Sequence, residues 1–438
     1  MSSQSHLLRS RRFLPLFVTQ FLGALNDNVL KNALVVLLTF QAAQWTTLLP
    51  ELLANLAACI FILPFFLFSA TAGQLADKYD KARLARLVKI LEIGIVLVAG
   101  AGFLLHSLTV LMGSLFLLGL HSTLFGPIKY AILPQHLKEE ELVGGNALIE
   151  AGTFVAILLG TLLGGLLAGA TGATGVITLA GLVIAIAGYL ASRRIPSAAA
   201  PVPDLTLNLN PLSETWRSIR FARENRTVFL SILGISWFWL YGALFLAQFP
   251  AFTKNNLGGG ETAVTLLLAV FTLGIGIGSL LCERLSAGRV EIGLVPLGSI
   301  GLTLFGLDLA FASPAATNSA EPLGALALLA FSGTWRILAD LALIGLFGGL
   351  FIVPLYALVQ QRSSETHRAR VIAANNIFNA LFMVAGALSA TLLLGNGLNI
   401  PSLFGVAAVC NAAVAVYIYG LVPEFRTRFM AWIGLRNQ

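Results

Sequence analysis

The sequence predicts an all-α membrane protein with twelve transmembrane helices, and three observations lead to this prediction. Apolar residues make up 57% of the 438 positions and charged residues only 11%, too few polar groups to cover a water-exposed surface. About a dozen apolar stretches reach the roughly 20 residues that a helix needs to cross a bilayer. These stretches are continuous, whereas a transmembrane β-barrel would show short strands of alternating polarity.

The hydropathy pattern sets the order and the approximate ends of the spans. The twelve predicted spans are 13–40, 51–76, 84–105, 108–133, 144–170, 174–192, 228–252, 261–283, 292–313, 335–360, 370–395 and 399–422. Span 1 is too long for a cleavable signal and carries polar residues, so we expect it to remain in the mature protein. An even number of spans places both termini on one side of the membrane.

The basic residues predict which side that is. If the termini are cytoplasmic, all but four of the 27 Lys and Arg residues lie in cytoplasmic loops or at cytoplasmic helix ends. The positive-inside rule therefore predicts cytoplasmic termini. The net charge of +7 is explained by topology, and no nucleic-acid partner is expected. The three cysteines lie in apolar spans without metal-ligand spacing, so neither a metal nor a cofactor is expected.

The chain has one long polar connection, which divides the spans six and six. The predicted organisation is a six-helix half over 1–192, a central cytoplasmic loop over 193–226, and a second six-helix half with a short tail over 227–438. The loop begins with an extended Pro/Ala-rich piece. From Pro211 it predicts a short basic amphipathic helix that can lie on the anionic inner leaflet. Related polar loops after spans 2 and 8 indicate two pseudo-symmetric halves.

The loop after span 2 carries the most specific motif in the chain. It reads GQLADKYDKAR, and its candidate gating residues are Gly73, Asp77, Lys78, Lys81 and Arg83. This loop resembles the signature between the second and third spans of the major facilitator superfamily. Gly73 permits close helix approach, and Asp77 can meet a helix N-terminus or an Arg of the other half. Asp80 stands where that family usually has Gly, which predicts a tighter turn.

Two further stretches resemble one branch of that superfamily, the lysophospholipid transporters, some of which are fused to acyltransferase and acyl-carrier-protein synthetase domains. The stretches are TQFLGALNDNVLKNALVVL in span 1 and FGPIKYAILPQHL after span 4. The resemblance covers nearly the whole chain. It implies the major facilitator fold, a place in the bacterial inner membrane, and a transporter rather than an enzyme.

The same resemblance implies a substrate and a direction. Lysophospholipid, such as lysophosphatidylethanolamine, would move by alternating access from the outer to the inner leaflet and be re-acylated inside. The chain ends at Gln438, so we expect the acylating enzyme to be a separate protein, and we expect a monomer. Some members of the family carry an Arg in span 7. This chain has none there, so no headgroup site built on that Arg is expected.

Span 1 holds the leading candidates for substrate binding. Its polar positions share one helical face, at spacings of three and four residues: Gln20, Gly23, Asp27 and Lys31. Asp27 lies near the bilayer midplane, where it can attract an ammonium headgroup, while Lys31 orients Asp27 or meets phosphate. Asn28 adds a polar neighbour. The alternative interpretation is a self-contained Asp27–Lys31 pair that orders the helix.

Spans 4 and 5 supply three more candidate substrate-binding residues. Lys129 and Glu150 lie about one turn from the cytoplasmic helix ends, and His121 lies two turns before Lys129. A Lys129–Glu150 bridge that opens when phosphate binds Lys129 would couple binding to gating. The alternative is an interfacial Lys that snorkels to the membrane surface.

Two other ion pairs are interpreted as structural. Lys89 and Glu92 in span 3 are three residues apart and predict an interfacial pair. Arg336 and Asp340 at the outer end of span 10 are four apart and predict a pair within one helix.

The second half offers amides and aromatic rings instead of charges. Its candidate substrate-binding residues are Tyr241 and Gln248 in span 7, and Asn375 and Asn379 in span 11. These residues either form hydrogen bonds between helices or line an apolar wall for an acyl chain, with the headgroup toward spans 1 and 4.

Two other functions compete with lysophospholipid transport. A proton-coupled exporter of amphiphilic drugs would use Asp27 or Glu150 as its proton carrier. A membrane acyltransferase would need a His with a carboxylate at a fixed short spacing. The nearest arrangement is His136 with Glu141, and the acyltransferases of the family use Asp there, so catalysis is disfavoured.

Overall fold

The computed structural model describes residues 3–40, 50–315 and 322–434, and nearly all of them are helical. Arg436 of the basic tail lies outside these ranges. The helices in chain order are α1 (Ser3–Leu7), α2 (Leu14–Phe40), α3 (Pro50–Lys78), α4 (Lys81–Leu104), α5 (Leu108–His136), α6 (Leu142–Ala168), α7 (Ala173–Ser192), α8 (Pro211–Glu224), α9 (Arg226–Leu257), α10 (Glu261–Leu285), α11 (Leu294–Ala312), α12 (Ala325–Leu328), α13 (Ser332–Arg362), α14 (Arg368–Gly395), α15 (Ile400–Leu421) and α16 (Pro423–Trp432).

Twelve of the described helices are long and apolar enough to cross a membrane, which confirms the prediction of a multi-pass membrane protein. They are α2–α7, α9–α11 and α13–α15, and they match the twelve predicted spans in order. The end of span 7 differs most, because it was predicted at 252 and α9 continues to Leu257. Pro250 lies inside α9, and membrane helices tolerate an internal proline.

The chain packs as two compact units. Unit 1 comprises residues 1–139, 155–225 and 360–380, and unit 2 comprises residues 140–154, 226–359 and 381–438. Short pieces of the chain therefore pack with helices distant in sequence, namely 140–154 in unit 2 and 360–380 in unit 1. The division into two six-helix halves stays a prediction.

In unit 1, α3 and α4 pack on α5, while α2 and α4 pack on α7. Small residues allow α6 to approach α2 closely. A Cβ atom at Gly160 would lie 2.7 Å from the Asn28 Cβ, and one at Gly164 would lie 2.7 Å from the Val29 carbonyl oxygen. Helix association in lipid depends on such close backbone contact, because lipid removes the hydrophobic driving force.

In unit 2, α10 and α13 meet through glycines on both helices. A Cβ atom at Gly278 would overlap the Leu346 backbone, and one at Gly349 would overlap the Ser279 amide nitrogen. Four phenylalanines add ring contacts to the packing of this unit: Phe245, Phe249, Phe271 and Phe404.

The central loop is an extended segment followed by α8. The segment runs beside the end of α3, where Gln74 exchanges two hydrogen bonds of 2.8 and 2.9 Å with the Asn208 backbone. The Asn210 side chain then caps α8 by accepting from the amides of Leu212 and Ser213. The helix turns small and polar residues inward, while Leu212 and Trp216 remain 81% and 58% exposed.

The α10–α13 packing yields a stability prediction. Substituting Gly278→Ala should destabilise unit 2 by about 1–3 kcal/mol, because the new methyl group meets backbone that has no rotamer to change. Gly113→Ala is the matched control, since nothing lies within 4 Å of a Cβ atom at that helical glycine. Thermal unfolding in detergent, followed by tryptophan fluorescence, measures both variants. Equal melting temperatures would contradict the close α10–α13 contact.

Candidate functional site

Four ionisable side chains from three helices meet inside unit 1. They are Asp27 of α2, Lys89 and Glu92 of α4, and His121 of α5, and together they are called the charge network. The imidazole of His121 lies between two carboxylates, with Nδ1 3.5 Å from an Asp27 oxygen and Nε2 3.2 Å from a Glu92 oxygen. Each carboxylate therefore has a ring nitrogen at ion-pair distance.

Glu92 is the most enclosed member of the charge network. It forms an ion pair with Lys89 and accepts a 2.7 Å hydrogen bond from the Asn26 amide. The Lys89 and Glu92 side chains are 1% and 0% exposed, so the predicted interfacial position is wrong, although the predicted pairing is confirmed. Both residues lie at least two turns inside α4, and this depth was the available sequence signal.

A glycine gives the charge network its space. A Cβ atom at Gly188 would lie 2.5 Å from Lys89 Cε, so a side chain there would displace the lysine. A Cβ atom at Gly23 would lie 3.5 Å from Lys89 Nζ and 3.8 Å from the His121 ring, which is ordinary contact. Gly23 thus adjoins the charge network without contributing a chemical group to it.

Asp27 is the member of the charge network that a group from outside can reach. Its side chain is 13% exposed, compared with at most 2% for the other three. Ser122 donates a hydrogen bond to the second carboxylate oxygen, which fixes the group against α5.

Among the described residues, no three His, Cys, Asp or Glu side chains are placed to hold a metal ion.

The other candidates on α2 surround Asp27 in different ways. Lys31 places its ammonium 5.1 Å from the centre of the Phe61 ring, and Asp27 bonds to α5 instead, so the two do not form a self-contained pair. Asn28 donates to the Ala24 carbonyl of its own helix at 2.8 Å. Gln20 is buried.

Lys129 and Glu150 belong to different units. The Lys129 ammonium lies 4.7 Å from the centre of the Tyr130 ring and the residue is half-buried. Glu150 is fully buried on α6. The bridge between them stays a prediction.

The span 7 candidates lie in unit 2, where the structure corrects the position of Tyr241. Its hydroxyl donates to the Leu302 carbonyl at 3.0 Å, and its ring stacks on Phe245, so it belongs to the helix packing rather than to a cavity wall. Gln248 is half-buried. Trp239 stacks on Phe154 and donates to the Tyr356 hydroxyl at 3.1 Å, a contact that the sequence did not predict.

The α14 amides lie in the part of that helix that packs in unit 1. Asn375 is 1% exposed, and neither polar atom of its amide has a hydrogen-bond partner among the described residues. Asn379 is half-buried. A Cβ atom at Gly126 would lie 2.5 Å from the Asn376 amide nitrogen, so this glycine admits a polar side chain.

The predicted gating residues meet the start of α14. Asp77 accepts a 2.9 Å hydrogen bond from Arg370 Nε and a 3.2 Å hydrogen bond from the Ala369 amide. One carboxylate thus binds both an arginine and a helix N-terminus. A Cβ atom at Gly73 would lie 2.8 Å from the Ala373 Cβ, so only glycine fits this contact without displacement.

Asp80 organises the turn between α3 and α4. It caps α4 by accepting from the Arg83 amide at 2.8 Å, and it also accepts from Ser197 Oγ at 2.6 Å and the Ala198 amide at 2.9 Å. Burial by itself raises the pKa of Asp80, but these hydrogen bonds outweigh it and hold the pKa below its ordinary value. Asp80 therefore joins the α3–α4 turn to the central loop.

Two of the three basic gating residues bind backbone carbonyls of the central loop. Lys78 Nζ donates to the Leu205 carbonyl at 2.7 Å, and the buried Lys81 reaches the Ala199 carbonyl at 3.5 Å. Arg83 contributes its backbone amide to the Asp80 cap.

Helix α8 packs against Arg370, the arginine that binds Asp77. The Phe221 ring stacks on His367 at 4.4 Å and lies 4.7 Å from the Arg370 guanidinium. Glu224 lies 3.2 Å from His367 Nε2. Burial lowers the pKa of His367, and Glu224 only partly opposes this shift.

Arg336 corrects the second predicted pair. It donates to Asp308 of α11 from two nitrogens, at 2.5 and 3.0 Å, while Asp340 of its own helix acts on it only through its charge. A planar guanidinium favours this two-point geometry over a partner along one helix.

Comparisons with known proteins place the chain in a family. The model of the Major Facilitator Superfamily matches residues 16–334. Proteins named "Lysophospholipid transporter LplT" from Escherichia fergusonii and Escherichia coli O157:H7 are 29% identical over 411 and 413 residues, covering 91% of this chain and 95% of each relative.

Solved structures agree on the fold. The human organic anion transporter MFSD10 aligns with a TM-score of 0.73 at 15% identity, covering 94% of this chain and 98% of that one. The transporter FucP aligns with a TM-score of 0.70 at 12% identity, covering 96% and 99%.

The Asp77 contact yields a prediction with a matched control. Asp77→Asn leaves the Arg370 guanidinium buried without its carboxylate, and loss of one partner of a buried pair costs about 3–5 kcal/mol. Asp80→Asn removes the same charge three residues later but keeps an N-cap of similar strength. We expect only the Asp77 variant to melt much earlier in detergent. A larger effect at position 80 would refute the assignment of the stabilising charge to Asp77.

Proposed function

The chain belongs to the Major Facilitator Superfamily, and from that premise we propose that this membrane transporter moves lysophospholipids. Similarity to the LplT proteins over 91% of the chain supports the substrate class. The proposed direction is from the outer to the inner leaflet of the bacterial inner membrane, where a separate enzyme re-acylates the product. The distribution of basic residues supports cytoplasmic termini.

The partly accessible carboxylate of Asp27 is the observation that carries the proposal. Asp27 lies at the middle of α2, where an ionised group is costly unless it has partners or faces a cavity. Ser122 and His121 hold it from α5, while 13% of its side chain stays exposed. This arrangement suits an ammonium group, such as that of an ethanolamine headgroup, and leaves the acyl chain to an apolar surface.

Lys31 is proposed to bind the phosphate of the same headgroup. It lies one helical turn from Asp27, a rise of about 5.4 Å, which matches the short separation of ammonium and phosphate in ethanolamine lipids. Its ammonium lies over the face of the Phe61 ring and feels the charge of Asp27, and a lysine has three N–H donors to offer phosphate oxygens. Lys129 is retained as a second phosphate candidate.

The Asp77–Arg370 contact is proposed as a gate. It joins the end of α3 to the start of α14 through one ion pair and one backbone hydrogen bond. A small, defined contact of this kind can break and re-form as a unit during alternating access. Gly73 keeps the two helices close enough for the contact to form.

Leaflet-resolved uptake of lysophosphatidylethanolamine into proteoliposomes tests the proposal. Asp27→Asn should lower the initial rate about 10- to 100-fold, the effect expected for loss of one charged hydrogen-bond partner of the substrate. Glu261→Gln, an exposed carboxylate at the start of α10, is the control and should transport like wild type. Wild-type transport by the Asp27 variant would refute the headgroup site.

A second candidate function is a proton-coupled exporter of amphiphilic cations, because an anionic Asp27 would also bind a cationic drug. The same assay distinguishes the two functions. In that case a cationic drug would move only under a pH gradient, and lysophosphatidylethanolamine would not compete with it. Lysolipid movement without a gradient supports the leading proposal.

A further inference from the structure

The position of His121 specifies its protonation state. Both ring nitrogens face carboxylate oxygens, at 3.5 Å toward Asp27 and 3.2 Å toward Glu92. A neutral imidazole has one N–H, so its other nitrogen would turn a lone pair toward an anion. The imidazolium presents an N–H to each carboxylate. Only this form places a positive charge between the two carboxylates, at ion-pair distance from each.

Charge counting within the charge network leads to the same state. Asp27 and Glu92 are two anions, and Lys89 is the cation in direct contact with Glu92. A proton on His121 supplies the second positive charge. Without it, the Asp27 carboxylate would have no cation at ion-pair distance among the described residues, which is costly in a low-dielectric interior.

The other groups packed around the ring do not replace that proton. Helix α2 contributes Asp27 and the neutral Asn26. Its next cation, Lys31, feels the charge of Asp27 from beyond ion-pair distance and places its ammonium over the Phe61 ring. Helix α3 meets α5 through the Phe61 backbone and Pro64 at Gly119, which carry no charge. On α5 itself, Phe125 stacks beside His121. Helix α4 contributes Lys89 and Glu92, and α7 adjoins Lys89 through Gly188.

We infer that an ammonium headgroup arriving at Asp27 replaces the proton on His121, so that binding of a cationic substrate releases one proton. This inference rests on the proposed function. The ammonium pairs with the Asp27 carboxylate, which no longer needs the imidazolium. The Nδ1–H bond of His121 breaks, the nitrogen keeps the electron pair, and the proton leaves to water past Asp27, the least enclosed member of the charge network. The neutral ring keeps its Nε2–H toward Glu92.

Calorimetric titration of the purified transporter with lysophosphatidylethanolamine measures this exchange. Titrations at one pH in buffers of different ionisation enthalpy give the number of protons released per bound lipid. We expect about one proton in wild type while His121 is protonated, and an affinity that rises up to about tenfold per pH unit. Lysophosphatidylglycerol, which has the phosphate and the chain but no ammonium, should release none.

The variant His121→Gln locates the proton. It keeps a side chain that can hydrogen-bond to a carboxylate but cannot carry the charge, so any remaining binding should be independent of buffer and pH. Buffer-independent binding by wild type, or equal release with both lipids, would overturn the inference and leave the proposed function intact. Failure of wild type to bind lysophosphatidylethanolamine would overturn the proposed function as well. Full proton release by the variant would assign the proton elsewhere and also refute the inference.

Discussion

A charge placed within a hydrocarbon layer needs a partner in the protein, and in unit 1 most of these partners lie on another helix. Asp27 depends on α5, His121 joins α2 to α4, and Asp77 joins α3 to α14. Hydrophobic burial alone does not hold membrane helices in one register, because lipid tails are as apolar as leucine. Polar contacts with defined geometry supply the register instead, and removal of one partner leaves the other charge unpaired.

Glycines make these polar contacts possible. Lys89 can extend inside the helix bundle only because Gly188 lacks a side chain along its path. Gly73 does the same for the backbone around Arg370. The glycine content of this chain therefore serves two physical purposes: some glycines bring backbones together, as at Gly278, and others make room for long charged side chains. A substitution at either kind acts first on packing, but only the second kind also disturbs charge.

The twelve spans were predictable because hydropathy depends on composition along the chain, and each span is long and uninterrupted. Asp27 and Asp77 were also visible, since an ionised residue in an apolar run and a specific loop motif are both local signals. Partners on other helices were predictable only in kind, as for Asp77, because their identity depends on how neighbouring helices rotate. Glu92 was expected at the interface and is buried, and Arg336 pairs across helices. Tyr241 had two interpretations, and its hydrogen bond to the Leu302 carbonyl favours helix packing over a cavity wall.

Helix α4 lies between the Asp77–Arg370 contact and the charge network, which are both in unit 1. Its N-terminus is fixed by the Asp80 cap in the turn that follows Asp77, and its interior carries Lys89 and Glu92. A continuous helix transmits displacement along its axis because its backbone hydrogen bonds resist stretching. A displacement at the Asp77–Arg370 contact would therefore reach α4, the helix that carries Glu92 of the charge network. The central loop acts at the same end, since Ser197 and Ala198 donate to Asp80 while Phe221 packs against Arg370.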